Sequence, residues 1–445
     1  MKNRIYLQIS LLLMSTLMLS SPISVNADDS APFVSNEISD IVKSTADLFQ
    51  ERYLNASLGQ AMSDRLIELL ESGAFDETPS RADLAAAIQR ELRAVQDDKH
   101  IQINFRSTPP QPAKPLMQTA SPEMMVNGPR RRSGIRELKL LEGGVGYLRI
   151  ANFSQDDLEA GLFDASMRFL ASSDAIIVDL RDNGGGSSRA QVELMTSFLG
   201  SEPVRIGTIE SSGRSTELWS KPREDQSFID EAPLYILIDE GSSSAAEATA
   251  YHLKHLGRAT IVGKRSDGAG NLSATIALEI WDDAGEVQIG SYTLILPKAE
   301  ITNVNTGRSW EGVGVVPDIE VEADRALGEA HALAIAAAHP NAPWAEAMIA
   351  SVRASYWPTV LTSDQLARLA GSYEGERVYR VRNGRLFTAS GDGAELELIS
   401  ITATSFRYKS GISATVQFDL HADGTVEAAR IIFADGGFVR FARLN

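Results

Sequence analysis

The sequence predicts an α/β core between a helical N-terminal segment and a small antiparallel β domain, and three observations carry that expectation. From Ile38 to Ile103 the apolar residues recur at helical spacing. Beyond Ser133 compact apolar runs of the buried-strand kind alternate with helical ones. After residue 358 the pattern turns to period two, with Asn383-Gly384, Asp392-Gly393, Asp423-Gly424 and Asp435-Gly436 marking hairpin turns. At 445 residues and 43% hydrophobic positions the chain can bury several cores, which suggests two to four domains.

Residues 1–27 read as an export signal: Lys2 and Arg4 give a positive start, Leu7 to Leu19 an apolar stretch, and Val25-Asn26-Ala27 a small-residue cleavage pattern. A spanning anchor is the rival, but Gln8, Ser10, Ser15 and Ser20 shorten the run below the roughly 20 apolar residues a bilayer needs. Residues 34–98 form a helical domain of three helices: Ile38, Ile41, Val42, Phe49 and Tyr53 share a stripe, as do Leu66, Ile67, Leu69 and Leu70, and then Leu84, Ile88, Leu92 and Val95. Ser80 with Asp83 marks the third start.

Residues 99–325 are the α/β core, interrupted by a proline-bearing linker at 107–133. Its Arg130-Arg131-Arg132 run could clamp a carboxylate or could be a solvated basic loop. Val145 to Ile150, Ala175 to Leu180 and Leu234 to Ile238 are strands, and Ala190 to Leu199 and Ala245 to Leu256 are helices. Residues 326–358 form a helical connector, and 359–445 a β domain able to close into a barrel or a sandwich.

Composition excludes several chemistries. A net charge of −17 leaves the chain without an electrostatic case for nucleic acid. The absence of cysteine removes disulfides, thiolate nucleophiles and Cys-ligated zinc. No organic cofactor or metal is called for, and no stable membrane insertion is expected once the signal is removed; an acidic, cysteine-free exported chain suits a bacterial periplasm or exterior.

Two loops could do chemistry. Gly241-Ser242-Ser243-Ser244-Ala245-Ala246-Glu247 runs from a strand into a helix, where helix N–H groups would stabilise charge developing on an attacked carbonyl. Ser244 is the candidate nucleophile, although three serines can equally be an N-cap. Asp182-Asn183-Gly184-Gly185-Gly186 follows another strand, and its glycines let backbone N–H groups face a ligand; no P-loop lysine and no GxGxxG spacing completes a nucleotide site. A serine nucleophile needs a base. Of six histidines, His331, His339 and His421 lie outside the core, and His252 and His255 look solvent-facing and lack a third metal ligand. That leaves His100, in Asp97-Asp98-Lys99-His100-Ile101 at a helix–strand junction, where a histidine taken alone is more often structural than catalytic.

Gly146-Tyr147-Leu148-Arg149-Ile150, Val178 to Gly186, Ser243 to Glu247 and Gly257 to Gly263 together resemble, in order, the carboxyl-terminal processing (tail-specific) serine proteases. Where one branch of that family carries a catalytic lysine, this chain reads Ser266-Asp267-Gly268-Ala269-Gly270, so Ala269 stands in the lysine's place, and residues 107–133 are too short for that branch's PDZ module. Asp98-Lys99-His100 and Glu311-Gly312-Val313-Gly314-Val315-Val316-Pro317-Asp318 are similar instead to the branch of the interphotoreceptor retinoid-binding protein modules and the tricorn core protease. The resemblance implies a ClpP/crotonase-like core and a triad of Ser244 as nucleophile, His100 as base and Glu311 as orienting carboxylate. It implies an oxyanion hole from Ala245 N–H with Gly185 or Gly186 N–H, Gly185 foremost. Glu247 also sits near the nucleophile and is read as structural, tying the helix to neighbouring backbone. A peptide or protein would then be the substrate; the branch's non-catalytic binders of hydrophobic ligands leave a binding module as the alternative. The β domain resembles lipocalin-like appendages of exported hydrolases through Leu369-Ala370-Gly371-Ser372-Tyr373 and its hairpin spacing.

Overall fold

A computed structural model describes residues 32–107, 133–159, 161–211, 213–221, 229, 231–285, 288–412, 414–433 and 436–444. The expected signal at 1–27 and the Arg130–Arg132 run lie outside the described residues. Three helices open the described chain, Glu37–Arg52, Ala56–Glu71 and Arg81–Val95. The third begins where the sequence places it: Ser80 Oγ accepts the Asp83 N–H at 3.1 Å and donates to the Asp83 carboxylate at 2.6 Å.

The central sheet has six strands in the order β11-β8-β7-β4-β3-β2, with β2 Ile135–Leu141, β3 Val145–Ile150, β4 Ala175–Asp179, β7 Leu234–Ile238, β8 Thr260–Gly263 and β11 Ile319–Glu320. All neighbours are parallel except β2 with β3. Every residue of β4 and β7 is buried, as expected of parallel strands covered on both faces. Helices Leu162–Leu170, Ser188–Thr196 and Ala245–His255 cover one face. The other is covered by Ala323–Ala338 and Ala345–Tyr356, whose Ala326, Ala330, Ile335 and Val352 pack on Val145, Ile177 and Leu237. The stretch expected as a connector thus closes the sheet. Small alanines on that helix let it lie close to the strands.

A second sheet was not foreseen. β9 Asn271–Trp281 and β10 Gln288–Asn303 form a long hairpin, and β10 carries β1 Gln102–Ser107 and then β5 Arg205–Ser211 along its other edge, with β6 Arg214–Trp219 beyond. The three N-terminal helices do not form a separate core. Ile41, Phe49, Leu66 and Ile88 pack directly on Ile276, Leu278, Tyr292 and Leu294 of this sheet. The helical unit is also fastened by Arg81 and Glu37, paired at 2.8 Å with both side chains almost wholly buried, and the Arg81 guanidinium lies 5.7 Å from the Phe105 ring centroid on β1.

The C-terminal residues form an eight-stranded antiparallel meander, β12 Gly371–Tyr373, β13 Arg377–Arg382, β14 Arg385–Ser390, β15 Leu396–Ser400, β16 Ser405–Tyr408, β17 Ala414–Leu420, β18 Val426–Phe433 and β19 Phe438–Ala442. It closes: Tyr373 bridges Arg443, Glu374 N–H donates to Ala442 O at 2.9 Å, and Leu444 N–H donates to Ser372 O at 2.9 Å. Closure removes the free edges, so this is a barrel rather than a sandwich. Asn383 and Gly384 both have positive φ (51° and 71°), as a tight two-residue hairpin requires.

Among the described residues no helix is long and apolar enough to cross a membrane.

Removing one partner of a buried pair leaves an uncompensated charge, so Glu37→Ala should destabilise the protein by about 3–5 kcal/mol. Urea unfolding followed by far-UV circular dichroism reads this, and an unchanged midpoint would show that the pair does not anchor the helices.

Candidate active site

The site forms at the C-terminal ends of β4, β7 and β8, where parallel α/β sheets leave a crevice. After β4 the chain turns through Asn183, whose side chain is buried: its Nδ2 donates to Ile150 O at 2.9 Å and its Oδ1 accepts the Gly185 N–H at 2.8 Å. After β7, Ser242 Oγ donates to Leu180 O at 2.8 Å and Ser243 N–H donates to Asn183 O at 2.9 Å. The glycine run and the serine loop are therefore stitched together before any substrate is considered.

Ser244 heads helix Ala245–His255 in a conformation that a side-chain-bearing residue rarely adopts, φ 53° and ψ −114°. Such strain persists only when the surroundings enforce it. Two features do so. The Ser244 N–H donates to Glu247 Oε2 at 2.8 Å, and Gly185 (φ 99°) packs so closely that a Cβ there would meet Ser244 Cβ at 2.8 Å. The Ala245 and Gly186 N–H groups make no hydrogen bond among the described residues, whereas the Gly185 N–H is committed to Asn183. Of the two glycines expected to complete an oxyanion hole, Gly186 has the available donor, and Gly185 contributes its missing side chain.

Glu247 is fully buried and its carboxylate accepts four hydrogen bonds: from Ser266 Oγ and Gly268 N–H at 2.6 Å, and from Ala269 and Ser244 N–H at 2.8 Å. Burial pushes its carboxyl above the usual range, with these four donors opposing. The structural role expected for Glu247 is what its bonding describes. Ala269 is buried with its carbonyl facing Trp310 Nε1 at 3.3 Å. The next two residues pass to a second carboxylate, since Gly270 and Asn271 N–H donate to Glu311 Oε2 at 2.6 and 3.0 Å.

His100 arrives from the other side, at the start of β1. Its Nδ1 lies 3.1 Å from Asp98 Oδ1 and 3.7 Å from Glu311 Oε2, and its backbone N–H also donates to Asp98 Oδ1 at 2.9 Å. Asp98 is held in turn by Tyr53 Oη and Asn271 Nδ2, each 3.3 Å from Oδ2. The other ring nitrogen, Nε2, is buried without a hydrogen-bond partner. Burial alone would depress the imidazole, but the Asp98 hydrogen bond and the charges of Glu311, Asp98 and Glu247 outweigh it and hold its pKa above the ordinary 6.5. Burial pushes the Glu311 carboxyl up, against the pull of His100.

The nearer carboxylate on Nδ1 is thus Asp98, a residue quoted in the sequence only as part of a segment and given no role. Its signal was present, since an Asx side chain two residues before a junction commonly caps the following backbone; its approach to the ring was not readable. Asp267 links the two halves: Lys99 Nζ donates to its backbone oxygen at 3.1 Å and Ser243 Oγ to its carboxylate at 3.0 Å. Asp98, His100 and Glu311 offer ligand atoms within 4.8 Å of one another, a spacing a cation could use, yet the hydrogen bonds on these groups already account for their arrangement.

His252 departs from expectation. It is buried, its Nδ1 lies 3.2 Å from Asn303 Nδ2, its ring meets Trp310 edge-on at 5.5 Å, and burial with the nearby His255 takes its pKa down to about 3. The helix that carries it has strands and helices on both sides, so the turn pointing away from Ser244 faces core rather than solvent.

Comparison with known proteins gives consistent matches. The model of Peptidase family S41 matches residues 144–321, and that of the N-terminal domain of Peptidase_S41 in eukaryotic IRBP matches residues 30–138. A carboxy-terminal-processing protease of Bartonella bacilliformis is 29% identical over 187 residues, 41% of this chain and 40% of that protein. The nisin-resistance protein of Lactococcus lactis is 28% identical over 201 residues, 40% of this chain and 57% of that one. The chain therefore spans about two-fifths to three-fifths of the length of these relatives. Among solved structures, a lipoprotein from Streptococcus agalactiae has a TM-score of 0.47 at 16% identity, covering 68% of this chain and 98% of that one, and the tricorn protease 0.39 at 16%, covering 73% and 38%.

Because Asp98 is the strongest influence raising the imidazole, Asp98→Asn should lower the His100 pKa toward or below 6.5 in a histidine NMR titration; an unchanged value would remove Asp98 from the ring's environment.

Proposed function

From the premise that the chain belongs to peptidase family S41, with its IRBP-type N-terminal domain, we propose that it is an exported bacterial serine endopeptidase acting through Ser244, His100 and Glu311, with Asp98 as a positioning residue. The observation that carries the reading is the buried, unpartnered Nε2 of a histidine whose Nδ1 faces two carboxylates, on a segment that Lys99 ties through Asp267 to the loop of a strained serine at a helix N-terminus.

In this reading Ser244 Oγ attacks the peptide carbonyl carbon as His100 Nε2 takes its proton. The carbonyl electrons move to oxygen, and the oxyanion is met by the Ala245 N–H at the positive end of its helix and by the Gly186 N–H. The imidazolium formed is balanced by Asp98 and Glu311. Collapse of the tetrahedral species breaks the C–N bond, and Nε2–H gives its proton to the leaving amine. Water, deprotonated by the same nitrogen, then attacks the acyl-enzyme and restores Ser244. No Ser-Lys dyad is invoked: Ala269 fills the lysine's place, and Lys99 is engaged with Asp267.

Export rests on the positive, apolar and small-residue pattern of residues 1–27.

A serine-reactive fluorophosphonate should label Ser244, located by peptide mass spectrometry, and Ser244→Ala should lose labelling and lower peptide hydrolysis by at least about a thousandfold while keeping its circular dichroism spectrum. A folded wild type that takes no label would favour a binding module instead.

The base must be neutral to accept a proton, and its pKa is raised. The rate should therefore fall as pH drops through a midpoint above 6.5, and Asp98→Asn should move that midpoint down. A kcat/KM profile flat between pH 5 and 8 would exclude His100 as the base.

A further inference from the structure

The barrel holds a feature that the peptidase reading does not use. At one end the meander opens into a cavity of about 410 Å³, lined by Ile431 and Phe441 within and by Ile412, Phe433 and Val439 at the rim. The three rim side chains are each 47% exposed although they face a concave mouth. Deeper in the cavity the polar groups gather: Thr388 and Tyr408 are buried, and the Arg377 guanidinium lies 3.4 Å from Thr388 Oγ1 through Nη1 and 4.9 Å from the Phe441 ring centroid. The volume falls within the range of small-molecule sites, which favour the mouths of β-barrels.

Charge makes the cavity specific. The chain is acidic, and Arg380, Arg382, Arg385, Arg407, Arg430 and Arg440 each pair with a carboxylate. Arg377, turned inward, has no carboxylate partner among the described residues, and its Nε is buried without an acceptor. A guanidinium so placed is satisfied best by a planar anion from outside, and carboxylate matches its fork. Ser390, the one further polar side chain of the lining, already donates its hydroxyl to Gly375 O; the other lining side chains are apolar, and closure of the barrel already pairs the strand backbones. A peptide entering here would bury its amide groups without partners, a cost an alkyl chain does not meet.

We propose that the C-terminal barrel binds a fatty-acid-type carboxylate, its head on Arg377, Thr388 and Tyr408 and its alkyl chain running out along Ile431, Phe441 and the rim. This site is distinct from the Ser244 crevice. The barrel is fastened to the core through Arg407 and Glu142, paired at 2.6 Å, and Glu142 precedes the N-terminal end of β3, whereas the crevice lies at the strands' C-terminal ends.

The test is calorimetric titration of the full chain with dodecanoate below its micelle concentration, beside 1-dodecanol, which keeps the chain and lacks the charge. Dodecanoate should bind saturably at one site and at least about tenfold more tightly than the alcohol, and Arg377→Gln should weaken the acid at least about tenfold, with Arg377→Lys, which keeps the charge and loses the fork, falling between the two. Absence of saturable binding overturns the proposal, as does equal affinity for acid and alcohol or wild-type affinity in Arg377→Gln. Should Arg377→Gln misfold, seen as loss of the tyrosine near-UV signal, the acid–alcohol comparison on the wild type decides alone. Ser244→Ala should bind dodecanoate unchanged, so the outcome is independent of the peptidase reading.

Discussion

The site depends on one buried carboxylate. Glu247 has no solvent around it, and a carboxylate in such a place is tolerable only when its lone pairs are filled. Four donors fill them, and three come from one short strip, Ser266, Gly268 and Ala269, while the fourth is the amide of Ser244. Charge-assisted bonds of this kind contribute roughly 1.5–3 kcal/mol each, enough to hold a serine in a left-handed backbone conformation that costs about 1–3 kcal/mol. Glu247 therefore fixes the serine and the strip opposite it in one stroke.

Glu311 continues the same device two residues further on. Gly270 and Asn271 donate to it, so the segment from Ser266 to Asn271 is threaded between two carboxylates, one facing the serine and one facing the histidine. The glycines are required by this threading. Gly268 has φ 92°, a Cβ on it would meet the backbone of residues 312–314 at 3.1–3.2 Å, and a Cβ on Gly270 would meet the Glu311 N at 2.8 Å. Asn271 then reaches Asp98 through its side chain, which carries the support across to the base.

His100 belongs to the helical unit by sequence and to the core by position. That works because the helices share a hydrophobic core with β9 and β10 rather than enclosing their own, and because the residues just after the third helix become β1, paired to β10 along its length. The histidine's placement is thereby tied to the hairpin that also begins at Asn271. The same economy is absent from the barrel, which has its own core of Tyr373, Tyr379, Phe406 and Phe418 and touches the rest mainly through Arg407 and the helix Ala345–Tyr356.

By itself the sequence determined what is local. The buried runs of β3, β4 and β7, the capped start at Ser80, the helix after Ser244 and the Asn383-Gly384 turn all follow from periodicity and backbone preference, and they lie where those preferences put them. A family resemblance added Ser244, His100 and Glu311 as a set. Tertiary structure alone decided that Asp98 is nearer the imidazole than Glu311, that Gly185 spends its N–H on Asn183 and leaves Gly186 free, that His252 is buried, and that the hairpin from Asn271 to Asn303 receives the N-terminal helices. Each of these depends on segments tens to hundreds of residues apart meeting within hydrogen-bond distance. Side-chain period and turn chemistry act over a few residues and carry no information about that distance, whereas burial of polar groups, which must find partners somewhere, sets it only once the chain is packed.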